Sequence, residues 1–100
     1  MIVLSERVPF ILAAGCSVVI KPSEHASASI LKLADFFRNE KKLSPIYTVF
    51  TGGAKTGEKL INSKKINMVS FTGSSENGKK ISKIISKNLK KNSLELGGKN

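Results

Sequence analysis

Val69-Ser70-Phe71-Thr72-Gly73-Ser74-Ser75-Glu76-Asn77-Gly78 is the stretch on which the fold turns. A run with strand character stops at a glycine, passes two serines and an acid, and reaches a second glycine where a helical pattern opens. Strand, tight turn and helix in that order make a place for an anion. Glycine lets backbone approach a phosphate closely, and a helix N-terminus offers unsatisfied N–H groups with partial positive charge. Ser74 and Ser75 add hydroxyl donors. Against the dinucleotide fingerprint G-x-G-x-x-G, Ser75 stands where the middle glycine belongs. The pattern alone is a weak sign, because Gly-Ser turns precede many helices.

Outward from this turn, strands and helices alternate. On the N-terminal side, Ser5 is expected to cap a helix running through Ala14 and ended by Gly15, with Pro9 near its first turns. Ser17 to Ile20 is a β-branched run suited to a strand buried on both faces. A helix is expected from Ser27 to Phe37, then a strand from Ile46 to Phe50, a Gly52-Gly53 turn, and a helix from about Lys55 to Asn62. The strand at Asn67 to Thr72 leads into the quoted turn, and Ser93 to Leu96 forms a last strand before Gly97-Gly98. This order predicts an α/β fold, a Rossmann-like parallel sheet with helices on both faces.

The net charge of +10 raises the question of nucleic acid. Fifteen of the 17 basic residues are Lys, spread from Lys21 to Lys99, and six aromatics supply little for stacking bases. Lys79, Lys83 and Lys87 recur at helical spacing, with Ile81, Ile84, Ile85 and Leu89 expected mostly on the other side. That is a solvated face opposite a buried one, and it argues against nucleic acid as the partner. The longest apolar run, Val8 to Cys16, is interrupted by Pro9 and falls well short of the roughly 20 residues that span a bilayer. Neither membrane anchor nor signal peptide is expected. A single cysteine fits a reducing compartment, so a cytoplasmic location is expected. Cys16 is expected to begin a buried strand and to stay inert. His25 has no partner at metal or triad spacing, and no metal site is expected.

The dinucleotide fingerprint also asks for an acid about 20 residues past the turn, to bond a ribose hydroxyl. Glu95 lies 22 positions after Gly73, while Glu24 lies just past the first strand. Both stand at carboxyl ends of strands, where open α/β sheets bind ligands, and the rule does not choose between them.

Three segments in series resemble the aldehyde dehydrogenase superfamily: Leu12 through Glu24, with its Lys21-Pro22-Ser23-Glu24 end; Val69 through Ser74 with Gly78; and Leu94-Glu95-Leu96-Gly97-Gly98-Lys99. The resemblance spans nearly the whole chain and implies that residues 1–100 are part of an NAD(P)-binding domain. It implies that Lys21 and Glu24, with Ser23, hold the adenosine ribose, and that the carboxylate favours NAD over NADP by repelling a 2′-phosphate. Phe71, Thr72, Gly73 and Ser74 would line the pyrophosphate turn, Gly78 would let helix approach strand, and Gly52 and Gly57 would serve the turn beside the adenine. Glu95 resembles the family's general base, which overrides the ribose role suggested by spacing. Leu96 and Gly97 would admit the nicotinamide. Ser75 departs from the family's usual Thr, and Asn77 is polar where an apolar residue is common.

The resemblance also implies what these residues do not supply. The nucleophilic cysteine, the oxyanion amide, the substrate tunnel and the oligomerisation strand of homo-oligomeric relatives belong to other segments. The expected function is therefore a part of an enzyme oxidising an aldehyde with NAD, with NADP the alternative cofactor, inactive by itself. A non-catalytic nucleotide-binding module and one half of a split enzyme are the alternatives, with a basic nucleic-acid binder behind them.

Overall fold

The computed structural model describes residues 2–25 and 28–98. Eight elements follow in the expected alternation: α1 (Ile2–Ala13), β1 (Val18–Ile20), α2 (Ala28–Asn39), β2 (Tyr47–Val49), α3 (Ala54–Asn62), β3 (Met68–Gly73), α4 (Ser75–Lys87) and β4 (Lys91–Leu96). Ser27 and Lys99, each given a place by the sequence, lie outside the described residues. All strand pairing is parallel, as the helical crossovers require. The ladders, however, form two sheets of two strands, β1 with β2 and β3 with β4, rather than one continuous sheet. Two compact units result, residues 1–56 and 57–100, divided inside α3.

In the first unit, α1 begins before Ser5, so Ser5 is a helix residue and not the cap. Pro9 consequently falls deeper in the helix than the sequence suggested. The C-terminal end is as expected. Gly15 has φ +76°, its N–H donates to the Leu12 carbonyl at 3.0 Å, and the Cys16 N–H donates to Ile11 at 3.1 Å. This doubled closure with a left-handed glycine is a Schellman cap. Val8, Ile20, Ile30, Ala34 and Tyr47 make the core. Ile30 and Ala34 are one turn apart on α2, which is why that helix lies on the sheet by one stripe. β1 is not buried on both faces: Ile20 points inward while Val19 is 38% exposed. Cys16 is likewise exposed, which corrects its expected burial.

Tyr47 is 4% exposed, and its ring stacks on Phe37 with centroids 4.2 Å apart. Its hydroxyl is buried with no hydrogen-bond partner among the described residues. Burial raises its pKa above the ordinary 10.0. A group held neutral in this way stabilises the fold fully below its unfolded pKa, and the contribution fades as pH rises through the folded value. Tyr47→Phe keeps the stacked ring and removes an oxygen whose unpaired burial costs about 1 kcal/mol or more. Urea titrations should find the variant at least as stable at pH 7. They should also find its advantage growing above pH 10; a wild type that is the more stable at pH 11 would refute this.

In the second unit, α4 packs on β3 and β4, and Ile85, 1% exposed, is its most deeply buried side chain. Along β3, Val69, Phe71 and Gly73 alternate inward with exposed Met68, Ser70 and Thr72. Lys79, Lys83 and Lys87 are exposed, as their spacing predicted. Lys90 Nζ donates to the Ser63 carbonyl at 2.6 Å and Asn88 Nδ2 to Asn62 Oδ1 at 3.2 Å, tying the ends of α3 and α4.

Leu89 overturns its expected place on the buried side: it is 93% exposed with φ +50°. Its N–H bonds Ser86 and the Lys90 N–H bonds Ile85, so Leu89 occupies the left-handed position of a second Schellman cap, where glycine is usual. A Cβ there costs about 1 kcal/mol, and the exposed side chain returns nothing in packing. Leu89→Gly should therefore raise stability by roughly 1 kcal/mol, less the entropy glycine adds to the unfolded chain. A fall in the urea midpoint at unchanged m would contradict it.

Candidate functional site

The candidate residues fall into two groups, one in each unit. In the first unit, β1 and β2 run parallel, so the Lys21–Glu24 segment and the Gly52–Gly53 turn leave the sheet at the same end. Lys21 is half-buried, and its Nζ donates to the Gly52 carbonyl at 2.7 Å and the Pro22 carbonyl at 2.9 Å. An ammonium has three donors, so one remains for a ligand. Glu24 is exposed, and its Oε1 lies 3.4 Å from where a Cβ on Gly53 would stand. Gly53 thus faces a carboxylate, while its neighbour Gly52 accepts from a cation whose third donor is uncommitted by these bonds. Ser23 Oγ accepts the His25 N–H at 3.4 Å, closing the loop locally. Gly52 has φ +139°, and a Cβ on it would lie 2.3 Å from Thr56 Oγ1. Sequence reasoning took Gly52 and passed over Gly53, although the Gly-Gly pair marked both. Gly57 lies within α3 and not in the turn.

In the second unit, Ser74 is the N-cap of α4, its Oγ accepting the Asn77 N–H at 3.3 Å. The Ser75 hydroxyl, expected as a donor to a ligand, instead donates to the Gly97 carbonyl at 2.7 Å. The Gly97 N–H donates to the Gly73 carbonyl at 3.0 Å, prolonging the ladder between Phe71–Gly73 and Leu94–Leu96. Gly73 leaves room for the Phe71 ring, whose Cζ would be 2.6 Å from a Cβ there. Gly78 is buried, and a Cβ on it would stand 2.3 Å from Leu96 Cδ2. The expected close approach of helix to strand is thus present, and the polar Asn77, exposed, does not prevent it. Glu76, in the first turn of α4, pairs with Lys80 at 2.7 Å. The Lys80 hydrogen bond and charge hold the Glu76 carboxyl below its ordinary range. Glu95 is exposed and lies beside Thr72 in the ladder. No group of metal ligands occurs among the described residues.

The structure thus holds a strand-to-helix turn closed by Gly78 and, in the other unit, a Lys-Pro-Ser-Glu loop against a Gly-Gly turn. A model of the aldehyde dehydrogenase family matches residues 1–100. The chain belongs to that family. It is 39% identical over 89 residues to a putative aldehyde dehydrogenase, DhaS, of Bacillus subtilis, covering 88% of this chain and 18% of that protein. The crystal structure of an NAD-dependent aldehyde dehydrogenase from Sinorhizobium meliloti superposes with a TM-score of 0.90 at 40% identity, over 99% of this chain and 20% of that one. A betaine aldehyde dehydrogenase from Staphylococcus aureus, in complex with NAD+, gives 0.87 at 33%, over 96% and 19%. This aldehyde dehydrogenase chain therefore spans about a fifth of the length of such relatives. The α/β fold with parallel strands is the one seen in those solved structures. Among the described residues no helix is long and apolar enough to cross a membrane.

Proposed function

We propose that this chain holds the dinucleotide of an aldehyde dehydrogenase, NAD in preference to NADP. The observation that carries the reading is the cluster at the end of β1 and β2, where a half-buried ammonium, an exposed carboxylate and two glycines converge. Ribose hydroxyls are matched by that pair: Lys21 keeps a donor and Glu24 accepts. Support in the second unit comes from the capped N-terminus of α4 after Gly73, a setting suited to a diphosphate. Phe71, Thr72, Gly73, Ser74 and Gly78 would shape that turn, Leu96 and Gly97 would border the nicotinamide, and Gly57 would assist on the adenine side. A nicotinamide held there would supply the hydride acceptor for aldehyde oxidation. Glu95 is assigned the general base, taking a proton from the thiol or from water.

The nucleophile is not assigned to Cys16, which follows the Gly15 cap of α1 and precedes β1. The 100 residues alone should turn over no aldehyde with NAD, since covalent catalysis lacks its first reactant. The aldehyde, the cytoplasmic location expected from a lone cysteine, and any homo-oligomer belong to the intact enzyme. Calorimetric titration of the chain with NAD+ and NADP+ tests the cofactor reading. NAD+ should bind more tightly, and Glu24→Gln should narrow the gap by about tenfold, the worth of one like-charge repulsion. Equal affinities in the wild type would sink the cofactor reading, while aldehyde turnover by the purified chain would overturn only the missing nucleophile.

A further inference from the structure

The dinucleotide fingerprint leaves its middle position bare so that backbone can come close to a pyrophosphate. Here that position is Ser75, and its hydroxyl is joined to a residue 22 positions away. We infer that Ser75 is a positioning residue, whose hydrogen bond to Gly97 sets where Glu95, Leu96 and Gly97 lie relative to the Gly73–Ser74 turn. This inference deepens the proposed function and rests on it for the identity of the ligand.

Three observations carry it. The Gly97 peptide is gripped on both sides, its N–H by the Gly73 carbonyl at 3.0 Å and its carbonyl by Ser75 Oγ at 2.7 Å. Side-chain packing does not hold this point, for a Cβ on Gly97 or Gly98 would meet nothing within 4 Å. Beyond Leu96, which packs at Gly78, hydrogen bonding is what fixes the chain at Gly97. Finally, Ser75 is exposed to solvent, yet its hydroxyl is turned onto the Gly97 carbonyl. The donor end is placed by the helix, because Ser75 opens α4 directly after the Ser74 cap. A ligand that orders the first turn of α4 is thereby coupled through one hydroxyl to the segment bearing Glu95.

Amide hydrogen exchange and carbonyl carbon shifts, measured on the full chain, test this. Ser75→Ala should speed exchange of the Gly97 N–H by about tenfold, the worth of one hydrogen bond, and move the Gly97 carbonyl signal upfield. Exchange at Val69 and Phe71 should stay unchanged. Ser75→Thr keeps the hydroxyl and should restore the wild-type values. Saturating NAD+ should slow Gly97 further in wild type and Ser75→Thr but not in Ser75→Ala. Uniform acceleration across β3 and β4, an unaffected Gly97, or a failed rescue by Thr would overturn the inference. A local Ser75→Ala effect with no response to NAD+ in any variant would uphold the tie between turn and strand and count against the cofactor reading.

Discussion

Gly52→Val should cost the first unit about 3 kcal/mol, from left-handed backbone strain and a steric clash together. At φ +139° a β-branched residue is far from any conformation it adopts readily. The added Cβ would also lie 2.3 Å from Thr56 Oγ1 and 3.0 Å from Thr56 Cβ, and a Cβ cannot swing aside as a chain end can. Thr56 is held in its turn, its N–H bonded to the Gly53 carbonyl at 3.2 Å. The two causes separate in a double-mutant cycle. In a Gly52→Val background, Thr56→Gly should relieve the clash and leave the backbone strain. Because the Gly52 carbonyl accepts Lys21, NAD+ affinity should fall with the turn. Urea midpoints for the four proteins give the result, and a loss below 1 kcal/mol for Gly52→Val would show that the turn yields.

The second large effect belongs to Gly78→Val. Here φ is unremarkable and the obstacle is Leu96, with Cδ2, Cδ1 and Cγ at 2.3, 2.6 and 3.0 Å from the new Cβ. Overpacking of this kind costs about 2 kcal/mol, partly offset by the poor helix propensity of the glycine it replaces. Leu96 is 39% exposed and can rotate outward, so Gly78→Ala should be much milder than Gly78→Val. Leu96→Ala should recover at least half of the Val penalty. If it recovers none, helix and strand are kept apart by backbone and the bare position has another cause.

The order of elements was legible because β-branched runs, amphipathic stripes and glycine punctuation are local signals. Gly15 ended α1 as read, and Gly78 proved to be a packing position, since both needs are written in one residue. What was not legible depends on neighbours far along the chain. Leu89 fits the helical period, but α4 stops at Lys87 and the cap turns Leu89 outward. Valine at position 19 suits a strand buried on both faces, yet one face of β1 stays open. Cys16, read as buried, is exposed for the same reason of context. The Ser75 hydroxyl looked like a ligand donor until β4 supplied a nearer acceptor. At the candidate site, the sequence marks Gly53 as a turn residue, but its place against Glu24 shows only in the fold.

Lys21 spans two strand ends through oxygens of the main chain, and every amino acid supplies such an oxygen. Tolerance to sequence drift is therefore lopsided. As acceptors the receiving peptides are indifferent to which side chains they carry, within the backbone angles and the packing space their positions demand. The giving side has no substitute of the same reach: methionine lacks the donors, and arginine's wide flat head presents them in a different geometry. Drift should accordingly be tolerated at position 22 sooner than at position 21.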